Sequence, residues 1–235
     1  RAADGSPEIG VWVVIKPDDT VVIRTARSEM GQGSLTGLAQ LVAEELECDW
    51  SKVHAVYSDP NRALRDPKPY NRLRTGASSS VRLGRVAYQQ AGASARERLK
   101  AGAAQIWGVP VAEVDAKNSV LIHRPSGRTL RYGQAAANAA SITLDREPAI
   151  KRPEQYMLIG RRLPRFDMEL KSRAQAVYGI DVKLPEMVYA AVKQAPTYGG
   201  SLKSFDVSAI RKMPGFITAV PIEGIGNANG IAIVA

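Results

Sequence analysis

Residues 27–46 constrain this chain most, because two kinds of periodicity meet there. Before the stretch, Val21 to Thr25 alternates apolar and polar positions and reads as a strand; within it, Leu35, Leu38, Leu41, Val42 and Leu46 recur at helical spacing. Between the two lie Gly31, Gln32 and Gly33, with Ser34 placed to cap the helix. A helix start leaves about four N–H groups without internal partners and carries partial positive charge. Glycines let a large anion approach that backbone closely. Strand, Gly-x-Gly turn and helix start is therefore a phosphate-accepting arrangement, although a tight turn without any ligand has the same sequence.

Composition narrows the ligand. The 235 residues are 45% apolar, enough for one large or two smaller domains, and the net charge of +9 attracts anions: phosphate-bearing cofactors, nucleic acid or an acidic partner. One cysteine (Cys48) and two distant histidines (His54, His123) exclude an internal disulfide, a thiolate metal site and a protein-ligated transition-metal site. No apolar run is long enough to span a bilayer. The start at Arg1 reads as a processed or trimmed end, and the apolar run at 230–235 reads as a buried strand beyond which more protein is expected.

Along the chain, β-rich runs at 10–16 and 21–25 flank a Pro-Asp-Asp-Thr turn and predict a hairpin. The first helix is expected to end between Glu47 and Asp49, followed by a strand over 53–57. Residues 59–74, with three prolines and Arg62, Arg65, Lys68, Arg72 and Arg74, predict an irregular basic loop. Thr75-Gly76-Ala77-Ser78-Ser79-Ser80 then opens a long helix over 81–107 that Gly108-Val109-Pro110 stops. Its face through Gly84, Tyr88, Ala91, Ala95, Leu99 and Ile106 predicts close packing on another element. Three serines at its start are either caps or a second anion site. A hairpin is expected around Pro125-Ser126-Gly127, with His123 on a strand and without a role, then a short helix over 134–140. Residues 145–165 predict a long surface-packed connection. Beyond Lys171 the pattern is β, with strands expected over 177–182, 187–192 and 216–220 and a short helix over 208–212.

Glu29-Met30-Gly31-Gln32-Gly33, followed by Thr36 and Gln40, resembles a signature of the molybdenum hydroxylases, the xanthine dehydrogenase and aldehyde oxidase family. Residues 171–182, then Met187 to Val192, Gly199-Gly200, Phe205-Asp206 and Met213-Pro214-Gly215, resemble the start of that family's α/β hammerhead domain, and 159–167 resembles the segment leading into it. The Gly-Gln-Gly segment here precedes the hammerhead. That order is similar to the isoquinoline 1-oxidoreductase β-subunit branch and to periplasmic aldehyde dehydrogenases.

The resemblance implies an α+β chain: residues 1–165 as the first part of a molybdopterin-binding domain, a mixed sheet with helices, and 166–235 as an incomplete hammerhead domain. It implies a molybdenum cofactor, molybdopterin cytosine dinucleotide, whose metal is held by the pterin rather than by Cys or His. Gly31, Gln32, Gly33, Ser34 and Thr36 are the expected cofactor contacts, with Gly76, Ala77, Ser78, Ser79 and Ser80 as a second set. Gln32 offers both a donor and an acceptor. The implied activity is oxidation of an aldehyde, or hydroxylation of an N-heteroaromatic ring, with water-derived oxygen. Implied partners are the remainder of the large subunit in the same or a second chain, a [2Fe–2S] subunit, a c-type cytochrome acceptor and a small-molecule substrate, with no nucleic acid. The implied location is the periplasm, after signal removal. Family members continue well past the hammerhead, and their catalytic glutamate lies there, so no catalytic residue is assigned in this chain; Glu29 is not given that role, and its neighbours suggest that it packs or hydrogen-bonds beside the turn. The competing reading is a nonenzymatic nucleotide- or nucleic-acid-binding module built on the Arg62–Arg74 charges, against which stands the lack of interleaved aromatics.

Overall fold

A computed structural model describes residues 2, 4–66, 73–224 and 229–235. They divide into two compact units, 1–175 and 176–235, giving a mixed α/β architecture.

The first unit grows from the alternating run at Val21. Strands β1 (Glu8–Gly10), β2 (Val13–Ile15), β3 (Val21–Thr25) and β4 (Val53–Tyr57) form one sheet in that order. The first three are antiparallel, and β3 pairs parallel with β4 from Val21↔Val53 to Thr25↔Tyr57. Parallel neighbours need a crossover, and α1 (Ser34–Leu46) supplies it. The expected hairpin is β2–β3; the β-rich run before it turns at Val11-Trp12 into two short antiparallel strands, whose register is irregular between Glu8 and Gly10. Ser34 is the first helical residue of α1, and the cap is Gly33 with φ 80°, one position earlier than the hydroxyl pattern indicated. The helix closes at Glu47, left-handed at φ 55°.

Helix α2 (Pro60–Arg65) occupies part of the stretch expected to be irregular. Asp59 accepts from the Asn61 N–H and Pro60 begins the helix, a start signal the prolines further on had obscured. Lys68 and Arg72 lie outside the described residues.

Helix α3 (Ser79–Trp107) is the long central element. Its alanine- and glycine-rich face packs against α1 and against α4 (Tyr132–Ser141). The closest approaches fall on glycines other than those the spacing singled out. A Cβ at Gly92 would lie 2.3 Å from the Val42 carbonyl oxygen, and one at Gly102 would lie 2.8 Å from the Ala139 nitrogen. Ile106, placed by spacing on the packed face, is 44% exposed. A second sheet, β5 (Val114–Lys117), β6 (Val120–His123) and β7 (Thr129–Arg131), contains the expected hairpin plus a strand the sequence did not signal. The core joins the apolar faces of α1, α3 and α4 to the first sheet.

Residues 145–165 are more than a surface connection. Buried Glu44 on α1 accepts the N–H groups of Met157 (2.9 Å), Leu158 (2.6 Å) and Ile159 (3.0 Å) on one carboxylate oxygen, while Lys151 Nζ reaches the other at 2.9 Å. Its neighbour Glu45 accepts the Lys151 N–H and a Gln89 amide hydrogen. Gln40 donates to the Leu158 carbonyl at 2.5 Å, and the Thr36 hydroxyl accepts the Phe166 N–H at 3.1 Å. Thr36, Gln40 and Glu44 follow at intervals of one helical turn. This stripe of α1 therefore reads the backbone of the connecting segment.

In the second unit β8 (Ala190–Gln194), β10 (Gly230–Val234) and β9 (Thr218–Ile222) form an antiparallel sheet with β10 in the middle. Each outer strand lies two to three residues beyond its expected start, because alternation alone does not set register. Two expectations are corrected. Residues 177–182 form no strand; they carry a short turn at Gly179–Asp181, and Ile180 is 94% exposed with no partner strand among the described residues. Residues 208–212 form turns rather than a helix, ahead of Pro214 and a left-handed Gly215.

Candidate functional site

The two helix starts named by the sequence differ in one respect: the chain's own carboxylate folds onto one of them. At the end of β3 the buried Tyr88 hydroxyl holds the Ala26 N–H at 2.9 Å, and the chain then turns through Ser28, Glu29 and the glycines. Gly31 (φ 102°) and Gly33 (φ 80°) both sit in the region that only glycine adopts freely. Their N–H groups point at Glu29. Its carboxylate accepts Gly31 and Gly33 at 2.8 Å each and Leu35 at 3.0 Å, and the side chain is 2% exposed. The amides expected to receive a phosphate are thus occupied by the chain's own anion. Burial pushes the Glu29 carboxyl up, but the three N–H donors outweigh it and hold the group below the usual carboxylate range.

Gln32 is likewise committed. Its Oε1 accepts the Met30 N–H at 2.5 Å, while its two amide hydrogens go to the Ser28 carbonyl (2.9 Å) and to Ser34 Oγ (2.8 Å). What remains is one Oε1 lone pair, so Gln32 presents an acceptor and not the donor an oxo or phosphate oxygen needs. The Ser34 hydroxyl, which accepts from Gln32, keeps its own hydrogen to donate.

The start of α3 is open. Ala77 (φ 53°) and Ser78 (φ 49°) are consecutive left-handed residues without being glycine, a conformation costing roughly 1–2 kcal/mol each. Such strain persists only where the surroundings enforce it and clusters at functional sites. No side chain caps this helix. Ser79 folds back onto the Gly76 carbonyl through both N–H (3.1 Å) and Oγ (2.7 Å). The N–H groups of Ser78, Ser80 and Val81 meet no acceptor among the described residues.

Both sets meet. Gln32, Gly33 and Ser34 from the first and Gly76, Ala77, Ser78 and Ser80 from the second line one cavity of about 450 Å³, with Met30, Thr75 and Val81 completing it. Bonds across the chain hold the walls together: the Ser28 N–H donates to Thr75 Oγ1 at 2.8 Å, and Arg27 donates to the Arg74 carbonyl at 2.6 Å. Gly31, Thr36 and Ser79 do not line it; their polar groups serve Glu29, Phe166 and Gly76. A cleft of about 700 Å³ in the second unit, beside β9, is larger but has no helix start on it.

The geometry fits a phosphate-bearing group with polar ring edges: unpaired N–H groups and serine hydroxyls on the α3 side, an acceptor and a hydroxyl on the α1 side. Among the described residues no group of three or more His, Cys, Asp or Glu is placed to hold a metal ion. Cys48 is buried, its thiol pushed up to about 12 by desolvation, which makes it inert. His123 is spent on Glu113 (2.8 Å) and Ser126 (2.6 Å). Arg62, one of the basic cluster, pairs with Glu8 and Asp66. Sequence reasoning missed Arg165, 3.2 Å from Glu29, but expected Glu29 itself to pack or hydrogen-bond beside the turn, as it does. The available signal was an acid placed just before a glycine turn and helix start.

The chain is similar in sequence to known proteins. The family model for the molybdopterin cofactor-binding domain matches residues 2–183. The membrane-bound aldehyde dehydrogenase [pyrroloquinoline-quinone] of Gluconacetobacter polyoxogenes is 31% identical over 94% of this chain and 28% of its own length. Isoquinoline 1-oxidoreductase subunit beta of Brevundimonas diminuta is 30% identical over 99% of this chain and 34% of its own. The chain thus spans about a third of these curated relatives. A solved structure of reconstituted CO dehydrogenase from Oligotropha carboxidovorans matches 59% of this chain and 17% of that one, at 20% identity and a TM-score of 0.44. Among the described residues no helix is long and apolar enough to cross a membrane. With the family model covering most of its length, the chain belongs to the molybdopterin cofactor-binding domain family.

Proposed function

We propose that this chain is the part of a molybdenum hydroxylase large subunit that grips the phosphates of molybdopterin cytosine dinucleotide. The uncapped start of α3, with Ala77, Ser78 and Ser80, receives the phosphates; Gln32, Gly33 and Ser34 border the adjoining part of the cofactor. When bound, that group supplies two-electron oxidation of an electrophilic carbon with oxygen from water. The residues of this chain bind and orient it, and none is assigned to proton transfer. The whole enzyme oxidises an aldehyde or hydroxylates an N-heteroaromatic ring, passing electrons to a [2Fe–2S] subunit and on to a c-type cytochrome in the periplasm. Residues beyond 165 form part of a hammerhead domain, a reading that rests on their sequence resemblance.

A single observation carries this reading. Two segments some forty residues apart, both inside the span matched by the family model, line one cavity onto which an unsatisfied helix start opens. The names of the relatives motivate the substrate classes. The test is chemical analysis of the purified protein in its native assembly. Molybdenum and acid-released CMP near one equivalent each per chain support the proposal. Pyrroloquinoline quinone with no molybdenum, or steeply salt-dependent DNA binding with neither, overturns it.

A further inference from the structure

The signature around the glycine turn contains residues that the cavity does not use, chiefly Glu29 and Thr36. Both point instead at residues 165–167. Arg165 reaches Glu29 Oε1 at 3.2 Å and donates to the Gly31 carbonyl at 3.0 Å. The same guanidinium makes two bonds to Asp167, at 3.0 and 2.7 Å, and Asp167 is paired in turn with Lys171 at 2.5 Å. Between them Phe166 is fixed twice, by its N–H on Thr36 and by its ring 5.0 Å from that of Trp50. One short segment thus grips the turn's carboxylate, its carbonyl and the first turn of α1.

We propose that Glu29 and Arg165 form a positioning clasp, in which residues 165–167 hold the Gly31-Gln32-Gly33 turn in its ligand-ready shape before the cofactor arrives. The inference rests on the cofactor reading above and gives that site a second, remote support. A turn with two left-handed glycines has large conformational freedom when unrestrained. Any ligand that orders it loses affinity in proportion, and prior ordering removes the loss. The clasp supplies that order through an internal carboxylate that holds the Gly31, Gly33 and Leu35 amides. It thereby also directs the cofactor's phosphates to the open α3 start and away from α1, where the two anions would repel. Arg165 is a positioning residue; it does not line the cavity.

The test uses the holo-protein and the variants Glu29→Gln, Arg165→Met and Arg165→Lys. Three quantities are read: molybdenum and CMP retained after dialysis, hydrogen exchange at the Gly31, Gly33 and Leu35 amides, and thermal midpoint. Removing one charge-assisted contact is expected to speed exchange at these amides and lower cofactor retention by about tenfold or more. Arg165→Lys, which keeps the charge but not the two-pronged geometry, is expected to fall between parent and Arg165→Met. If Arg165→Met fails to fold, the Lys variant carries the test alone. A loaded parent with variants that exchange faster yet retain cofactor equally well overturns the clasp and leaves the cofactor reading standing. A parent that holds neither molybdenum nor CMP overturns the cofactor reading, and the clasp with it.

Discussion

Replacing Glu44 by Ala removes the side chain that takes three consecutive amides of the connecting segment. In the structure its carboxylate is buried and satisfies three consecutive N–H groups, of Met157, Leu158 and Ile159, together with Lys151. Lys151 keeps Glu47 at 3.1 Å in the variant, so its charge is not orphaned. The three amides have no such alternative. A buried donor left unsatisfied costs about 1–3 kcal/mol; these bonds are part-buried, so each loss is reduced where water enters as the segment relaxes. A total of about 3–5 kcal/mol follows, similar to breaking a buried ion pair. For a unit of this size that is a fall in thermal midpoint of roughly 6–20 °C. Differential scanning calorimetry reads the total, and hydrogen exchange at the three amides localises it. A fall below about 3 °C with unchanged exchange at residues 157–159 would refute the claim that Glu44 holds the segment.

Four further outcomes follow from the same structure. Gly92→Ala places a methyl 2.3 Å from the Val42 carbonyl oxygen and forces α1 and α3 apart, costing about 1–3 kcal/mol or more in chemical denaturation; Gly37→Ala, in open space within α1, is expected to stabilise by up to about 1 kcal/mol. Ala77→Val puts a β-branched residue at φ 53°, so stability drops by about 1–2 kcal/mol and cofactor retention drops with it, measured by denaturation and by molybdenum content. Acid sensitivity should flatten in Glu44→Gln. Burial raises the Glu44 carboxyl, but Lys151 and the backbone donors bring it below the ordinary value of 4.5, so its stabilising contribution is complete above that value and is lost as pH falls through the lower, folded one. Midpoints between neutral pH and about pH 3 should therefore fall less steeply in the variant; an equal slope would show that Glu44 does not drive the acid limb.

Much of the first unit was legible because its signals are local. Alternation marked β3, leucine spacing marked α1, and Gly108 marked the end of α3. Both cavity walls were named from glycine and serine placement alone, since a helix start and its turn are written in adjacent residues. The occupant of each start was not legible. The starts at residues 31–34 and 76–80 both read as open to an anion in sequence, and only geometry shows which amides a carboxylate takes. Glu44 was hidden for a related reason: a polar residue on an amphipathic helix reads as solvent-facing until its partner, more than a hundred residues away, is in view. In the second unit, apolar runs at 177–182 and 187–192 were read from alternation, which marks a propensity to pair but neither the partner nor the register.

The account turns on which helix start holds the phosphates. A density map of the cofactor-loaded assembly decides it. The account predicts phosphate oxygens within hydrogen-bond distance of the Ser78, Ser80 and Val81 amides, with the Glu29 carboxylate still seated on Gly31, Gly33 and Leu35. Phosphates found on the Gly31 and Gly33 amides with Glu29 swung away, or α3 amides facing protein alone, would contradict it.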